Sequence, residues 1–402
     1  MKYLVILGDG MADRPLAQLD GQTPLMAAHT PALDALCAKS RTGRLTTVPA
    51  DMPPASDVAN LGVLGYDVHG VYEGRGVLEA ASMGVQIGPD EMAMRCNLIC
   101  IANERIKNHS AGHITSAEAN ELIAALNQAF SSDTLRFYPG VSYRHLLVVK
   151  HGRKALQCTP PHDVPGALFR DVLISPENAA AQATADLLND LIHQSQTLLR
   201  DHPVNQRRRA AGQDPGNSIW PWSPGYKPQM QTFQELYGIS SGAVISAVDL
   251  IQGIGVYAGF EVIKVPGATG LYNTNYEGKA AAAVDALKRV DFVYLHIEAP
   301  DEAGHEGDVA LKIRTIEDLD QRVVKYLVAH TAELADDVAI AILPDHPTPC
   351  DIRTHVYDPV PFLIYHPGTP PDAVRQYDEE RVKDGFYGLL QGHEFMTAFL
   401  QR

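Results

Sequence analysis

Short, almost uninterrupted apolar runs recur at both ends of the chain. They are KYLVIL at 2–7, GAVIS at 242–246, DFVYLHI at 291–297, DVAIAIL at 337–343 and PVPFLIY at 359–365. Runs of this length, closed by Gly, Pro or Asp, predict strands buried on both faces, as in a parallel sheet. Between them lie helical patterns such as EGKAAAAVDALKRV and LKIRTIEDLDQRVVKYLVAHTAELA, and GAVISAVDLIQGIGVYAG predicts a strand and then a short helix. Strands alternating with helices predict a doubly wound, mostly parallel α/β sheet. The middle reads differently: EMAMRCNLICIANERI and VSYRHLLVVKHG predict strands, and SAEANELIAALNQAF and SPENAAAQATADLLNDLIHQSQTLLRDH predict helices. The expectation is an inserted, smaller α+β domain at 79–224 that splits a sheet domain made of 1–78 and 225–402. NQRRRAAGQDPGNSIWPWSPGYKP, rich in Pro, Gly and polar residues, predicts an irregular return segment, with a hinge near 212–228.

Several of the apolar runs end in the same chemistry. KYLVIL runs into Asp9, DFVYLHI into Asp301 and His305, and DVAIAIL into Asp345 and His346; His355 follows in DIRTH. Open α/β sheets place ligands at the carboxyl ends of their strands, so these groups are expected on one edge. Ser56, in DMPPASDVANLGVLGYD, opens a predicted helix behind two prolines. It reads either as a helix N-cap or as a nucleophile held where helix amides favour an anion. Taken singly, each of these residues has a structural explanation. Together, oxygen and imidazole donors suit Mn²⁺, Zn²⁺ or Mg²⁺, and two such ions could clamp the attacking and leaving oxygens of a phosphoryl transfer. Ser56 among them would be a metal ligand and nucleophile.

Composition narrows the class. The chain has 402 residues, 45% apolar and 20% charged, with a formal charge of −15. That balance argues against a general nucleic-acid binder but leaves room for an anionic substrate held by local cations or metals. Five cysteines, Cys37, Cys96, Cys100, Cys158 and Cys350, form no disulfide framework and point to a reducing cytoplasm. The opening MKYLVILGDG does not read as a signal peptide, and no apolar run approaches the ~18 residues of a membrane span. Nothing in the sequence sets the oligomeric state.

GDGMADRP, PASDVANLGVLGYD, YEGRGVLEA, SAGHI, VPGATGLYNTNYEGKA, HIEAPDEAGHEGD and PDHPTPCDIRTH together resemble the archaeal-type, cofactor-independent phosphoglycerate mutases of the alkaline phosphatase superfamily. That family includes bacterial relatives proposed to be homoserine kinases. The resemblance runs from the first strand to about Phe362. It implies an alkaline-phosphatase-like fold, a small phosphorylated substrate and two divalent ions, with no 2,3-bisphosphoglycerate. One ion would be held by Asp301, His305 and His355, and the other by Asp9, Ser56, Asp345 and His346, with Ser56 becoming phosphorylated. The inserted domain would act as the substrate-binding cap. The implied reaction interconverts 3-phosphoglycerate and 2-phosphoglycerate; the alternatives are a homoserine kinase, or a metal-dependent phosphatase or phosphopentomutase. No G-x-x-x-x-G-K-[ST] loop is present, which weakens the kinase alternative.

Further residues carry two readings. Arg75 is either paired with Glu73 or Glu79 or grips phosphate or carboxylate, and the family motif favours the second. The resemblance places His113 toward substrate. Arg144 and the adjacent His145 are either paired within a strand or in contact with phosphate. Lys279, near a helix start, either is exposed or reaches a phosphate. Asn205 and Arg208 either form a solvated basic turn or bind substrate.

Overall fold

The run Lys2–Gly8 forms strand β1, and all but its first two residues are buried. The computed structural model describes residues 1–401, and its chain divides into two compact units: Met1–Tyr72 with the chain from Gln229 onward, and Glu73–Pro228. The first unit carries an eight-stranded sheet. After β1 come β2 (Arg41–Thr46), β3 (Gly242–Ile245), β4 (Glu261–Val262), β5 (Phe292–Ile297), β6 (Val338–Leu343), β7 (Val360–Tyr365) and β8 (Leu389–Gln391). Across the sheet the order is β4-β3-β5-β1-β6-β7-β2-β8. β1 lies parallel between β5 and β6, with Leu7 opposite both His296 and Leu343. That register brings three strand ends side by side, so whatever follows Gly8, Ile297 and Leu343 is gathered at one place. β7 departs from the parallel pattern and runs antiparallel to both β6 and β2.

The predicted long helix after residue 308 is continuous from Val309 to Thr331, but Leu319–Val324 is a π turn. The turn carries Asp320, fully buried, whose carboxylate accepts from the amides of Ala32 and Leu33. These are orphan donors at the start of the Pro31–Cys37 helix.

The second unit is built on a five-stranded sheet centred on the long strand Glu91–Ala102. That strand pairs antiparallel with Arg144–Lys150 and with Ser218–Gly225. The segment predicted to be irregular contains the helix Pro203–Ala210 and this Ser218–Gly225 strand. Its prolines do not prevent a strand here, because Pro is tolerated on a strand that pairs along one side only; Ile219, Trp220 and Trp222 bury their side chains in the unit's core. The helix Arg75–Ser82 belongs to this unit. Gly76 lets it approach closely: a Cβ there would sit 2.8 Å from the Cα of Met94 and from the carbonyl oxygen of Ser223.

His145 lies within this sheet, 2% exposed, its Nδ1 accepting from the amide of Gly140 at 3.0 Å. Burial pushes its pKa down to about 3. The folded state therefore keeps a neutral ring where the unfolded chain takes up a proton, below about 6.5. Stability is complete above that pH and falls as pH drops toward 3, by about 1.4 kcal/mol per pH unit from this residue. His145→Asn, which keeps an acceptor, should flatten the slope of unfolding free energy between pH 6 and 4 in denaturant titrations. An unchanged slope would show that other groups govern acid stability.

Candidate active site

Asp9 stands directly after β1, 1% exposed. Gly10 then turns the chain with φ +59°, and its amide donates to Asp345 Oδ1 at 3.2 Å. Only glycine fits here, since a Cβ would lie 2.5 Å from Asp301 Oδ1 and 2.7 Å from the Asp301 Cα. Asp345 and His346 follow β6, both fully buried. Asp301 and His305 face one way on the helix Ala299–Glu306, which starts directly after Glu298. Their i,i+4 spacing places His305 Nε2 3.2 Å from Asp301 Oδ2. His355 comes from the loop after β6, with Nε2 3.4 Å from Asp301 Oδ1 and 3.0 Å from His305 Nε2.

Ser56 is the first residue of the helix Ser56–Val63, but it does not cap it. Ala55 holds the cap position in extended backbone, with no side-chain cap bond. Ser56 Oγ instead lies 3.0 Å from His346 Nε2. That nitrogen is also 3.4 Å from Asp345 Oδ2 and 3.6 Å from Asp9 Oδ1. His346 stacks on His355 with ring centroids 3.8 Å apart. The structure thus brings Asp9, Ser56, Asp301, His305, Asp345, His346 and His355 into one array.

The array fits cations. Asp9, Asp301 and Asp345 have only histidines as ion-pair partners among the described residues. Asp9 Oδ1 is buried with no hydrogen-bond partner. Donor atoms of Asp301, His346 and His355, and of Asp9, Asp345 and His346, come within 4.8 Å of one another. Buried carboxylates without counter-charge, interleaved with imidazoles, are what oxygen- and nitrogen-binding divalent ions require. Burial, reinforced by Asp345 and Asp301, pushes the Asp9 carboxyl well above its usual range. Burial also acts upward on Asp301, yet hydrogen bonds from His305 and His355 hold it well below. The Asp301 carboxylate in turn pushes His305 up to about 9.

Residues that sequence reasoning passed over complete the site. His296 ends inside β5, fully buried, with Nε2 3.0 Å from Asp9 Oδ2 and Nδ1 3.2 Å from Ser246 Oγ. Burial pushes it down to about 3, so the ring is neutral. Glu298 follows it and joins Asp9 and His296 in a third group of possible donors. Asn60 donates to Asp345 Oδ2 at 2.8 Å and accepts from the buried Tyr294 hydroxyl at 2.6 Å. Thr348 Oγ1 donates to Asp301 Oδ1 at 2.5 Å and sits 3.3 Å from His346 Nδ1. A polar residue inside an otherwise apolar strand, as at His296, was the visible signal; for Asn60 and Thr348 there was none.

Known proteins with this chain's pattern agree. A relative from Methanosarcina acetivorans named 2,3-bisphosphoglycerate-independent phosphoglycerate mutase is 50% identical over the whole of both chains. A family model described by the same words matches residues 37–205. This chain belongs to the 2,3-bisphosphoglycerate-independent phosphoglycerate mutase family. A further family relative from Methanothermobacter thermautotrophicus is 47% identical over 100% of this chain and 97% of its own. Among solved structures, the cofactor-independent phosphoglycerate mutase of Thermoplasma acidophilum aligns over 100% of this chain and 99% of its own, with 28% identity and a TM-score of 0.69. A Pyrococcus horikoshii protein aligns over 99% and 96%, with 30% identity and a TM-score of 0.83.

The residues that the mutase-family resemblance and the local motifs suggested for substrate fall in both units. Lys279, on the helix Tyr276–Leu287, is fully buried, with Nζ 3.3 Å from the His296 carbonyl oxygen. Burial, partly offset by Glu298, pushes it down to about 8. In the second unit, Arg75 opens its helix, with its amide bonded to Ser223 Oγ. Arg144 is exposed, its guanidinium over the Tyr143 ring, and His113 is exposed in a left-handed turn with φ +52°. Asn205 and Arg208 do other work. Asn205, fully buried, bonds Leu199 and both backbone groups of Gly216. Arg208, 2% exposed, spends its guanidinium on the carbonyls of Ala111, Gly112 and Asp214 and on Glu118. Neither is a solvated turn: Asn205 commits both of its amide hydrogens, and Arg208 four of its five N–H donors, to partners inside the unit. Sequence reasoning missed a ladder beside Arg144: Tyr143 meets His109, His109 meets His162, His162 meets Trp222, and Arg95 lies 4.4 Å over Trp222.

Proposed function

We propose that this protein interconverts 3-phosphoglycerate and 2-phosphoglycerate without 2,3-bisphosphoglycerate, through a phosphoserine at Ser56. The observation that carries the reading is the Ser56 hydroxyl, 3.0 Å from His346 Nε2 and free of capping duty, among buried acids and imidazoles. Asp301, His305 and His355 would hold one divalent ion, and Asp9, Ser56, Asp345 and His346 a second. When bound, such ions supply positive charge to the phosphoryl oxygens and acidify a nearby hydroxyl. Mn²⁺, Zn²⁺ and Mg²⁺ all suit these donors.

The chain's own residues then have defined tasks. Ser56 Oγ forms a bond to phosphorus as the bond to the 3-oxygen breaks, and the serine proton ends on the glycerate oxygen released. The 2-hydroxyl of the same glycerate attacks next, gives up its proton and returns Ser56 to its hydroxyl form. Asn60 and the amide of Gly10 fix the Asp345 carboxylate, and neutral His296 fixes Asp9 through Oδ2, leaving Oδ1 available. In a chain of charge −15, the exposed Arg144 and the imidazoles of His109 and His162 in the second unit gather cationic and imidazole groups, beside an Arg95 that is already paired with Glu79 at 3.0 Å. This grouping suits a substrate with a carboxylate and a phosphate. Retaining glycerate between the half-reactions separates a mutase from a phosphatase.

The setting is read as the cytoplasm, compatible with five cysteines that form no disulfide. Among the described residues, no helix is long and apolar enough to cross a membrane. The mutase names of the relatives do not favour the kinase and phosphatase alternatives.

The test couples the protein to enolase with 3-phosphoglycerate and Mn²⁺, in the absence of ATP and bisphosphoglycerate. Phosphoenolpyruvate should form, with inorganic phosphate a minor product, and homoserine with ATP should give no phosphohomoserine. Product formed only from homoserine with ATP would move the chain to the kinase branch, and phosphate as the main product from 3-phosphoglycerate would make it a phosphatase.

A further inference from the structure

We propose that Lys312 is a positioning residue of this site: its ammonium group fixes the loop that carries Asp9 against the loop that carries Asp345 and His346. The proposal rests on the two-ion reading above. Lys312 lies on the helix Val309–Asp318, the next helix after the one bearing Asp301 and His305, and is 0% exposed. Its Nζ donates to the Thr348 carbonyl at 2.7 Å, to Asp13 Oδ2 at 2.9 Å and to the Ala12 carbonyl at 3.1 Å. Ala12 and Asp13 lie on the loop that leaves β1 through Asp9, and Thr348 on the loop that leaves β6 through Asp345 and His346. One side chain therefore ties two ligand-bearing loops together and touches none of the proposed ligands.

The contacts around it extend the effect. Asp13, also buried, accepts the Cys350 amide at 3.1 Å on the same oxygen that Lys312 holds. The Thr348 amide donates to the Ala12 carbonyl at 3.2 Å. Moving the Thr348 peptide moves its hydroxyl, which touches both Asp301 and His346. Loops leaving adjacent parallel strands carry carbonyls that a dry interior must satisfy. An ammonium, with three donors radiating from one point, matches three oxygens from two loops. A planar guanidinium does not, and a methionine leaves the Thr348 carbonyl without its donor and removes the charged donor from Asp13 Oδ2 and the Ala12 carbonyl, which keep only their amide partners.

The decisive experiment compares four proteins: wild type, Lys312→Met, a Lys312→Met/Asp13→Asn double variant that strands no buried charge, and Asp320→Asn. Asp320 is a buried group that caps a helix and touches none of the proposed ligands, so its variant controls for stability loss alone. Each is checked for folding by circular dichroism at 25 °C. Mn²⁺ affinity of the metal-free protein is then measured by competition with a chelator, and kcat and KM are measured at saturating Mn²⁺. Outer groups that orient metal ligands change affinity by about 10–100-fold. The Lys312 variants, still folded, should bind Mn²⁺ at least about tenfold more weakly and lose about tenfold in kcat, with KM moving less than about threefold. The Mn²⁺ electron paramagnetic resonance spectrum should broaden as ligand spacing loosens. Asp320→Asn should lose stability and keep wild-type affinity and kcat. A folded double variant with wild-type Mn²⁺ affinity and kcat overturns the proposal and leaves Lys312 a fold residue only. Wild-type protein that neither binds Mn²⁺ nor turns over 3-phosphoglycerate would instead overturn the two-ion reading beneath it.

Discussion

Replacing Ser56 by alanine should lower mutase turnover by about ten-thousandfold or more while leaving the protein as stable as before. Losses of this order follow removal of a nucleophile whose partners act with it as a unit. The stability half of the expectation comes from the helix start. A serine that capped its helix would lose ~1 kcal/mol on truncation. Ser56 makes no cap bond; Ala55 already occupies the cap position, and Ser56 Oγ turns to His346. Thermal melts of metal-free wild type and Ser56→Ala should therefore agree within the ~0.5 kcal/mol usual for neutral substitutions. Brief exposure of wild type to labelled 3-phosphoglycerate should leave label on this residue, and mass spectrometry of the peptide containing Ser56 would find it. Full activity in the alanine variant ends the phosphoserine mechanism. A large stability loss with activity intact returns Ser56 to a purely structural role.

Chelation should abolish activity, Mn²⁺ should restore it, and the melting temperature should drop when metal is removed. The site explains both effects. Asp9, Asp301 and Asp345 are buried together without lysine or arginine partners among the described residues, and Asp9 Oδ1 has no hydrogen-bond partner. Without a cation, the fold must tolerate close acidic groups in a dry environment, which raises the Asp9 carboxyl far above its ordinary range. A cation that binds only the folded state stabilises it by ~2.7 kcal/mol at a concentration one hundred times Kd. For a unit of this size that is a shift of roughly 5–10 °C. Calorimetry with and without chelator measures it, and a Tm indifferent to chelation would remove the ions from the array. Asp345→Asn should reproduce much of the chelated behaviour, because it weakens the one carboxylate that Asn60, Gly10 and His346 all converge on.

The sequence by itself determined the strands and the chemistry at their ends. Continuous apolar runs have one physical use in a chain this long, and the acids and imidazoles after Gly8, Ile297 and Leu343 had to follow them to one edge. Ser56 was legible as a hydroxyl at a helix start, but the choice between cap and site group was not. Cap geometry depends on the backbone angles of Ala55, which nothing local dictates. Only tertiary structure decided that Asn205 and Arg208 serve the interior of the second unit, because their partners at Leu199, Gly216, Ala111 and Glu118 are brought to them by folding. It alone turned the proline-bearing Ser218–Gly225 run into a strand, since pairing along one side is a property of the sheet. The same holds for His296, Thr348 and Lys312. Each earns its place through atoms roughly fifty to three hundred residues away in the chain, and no local pattern of hydrophobic and polar positions encodes a contact at that distance.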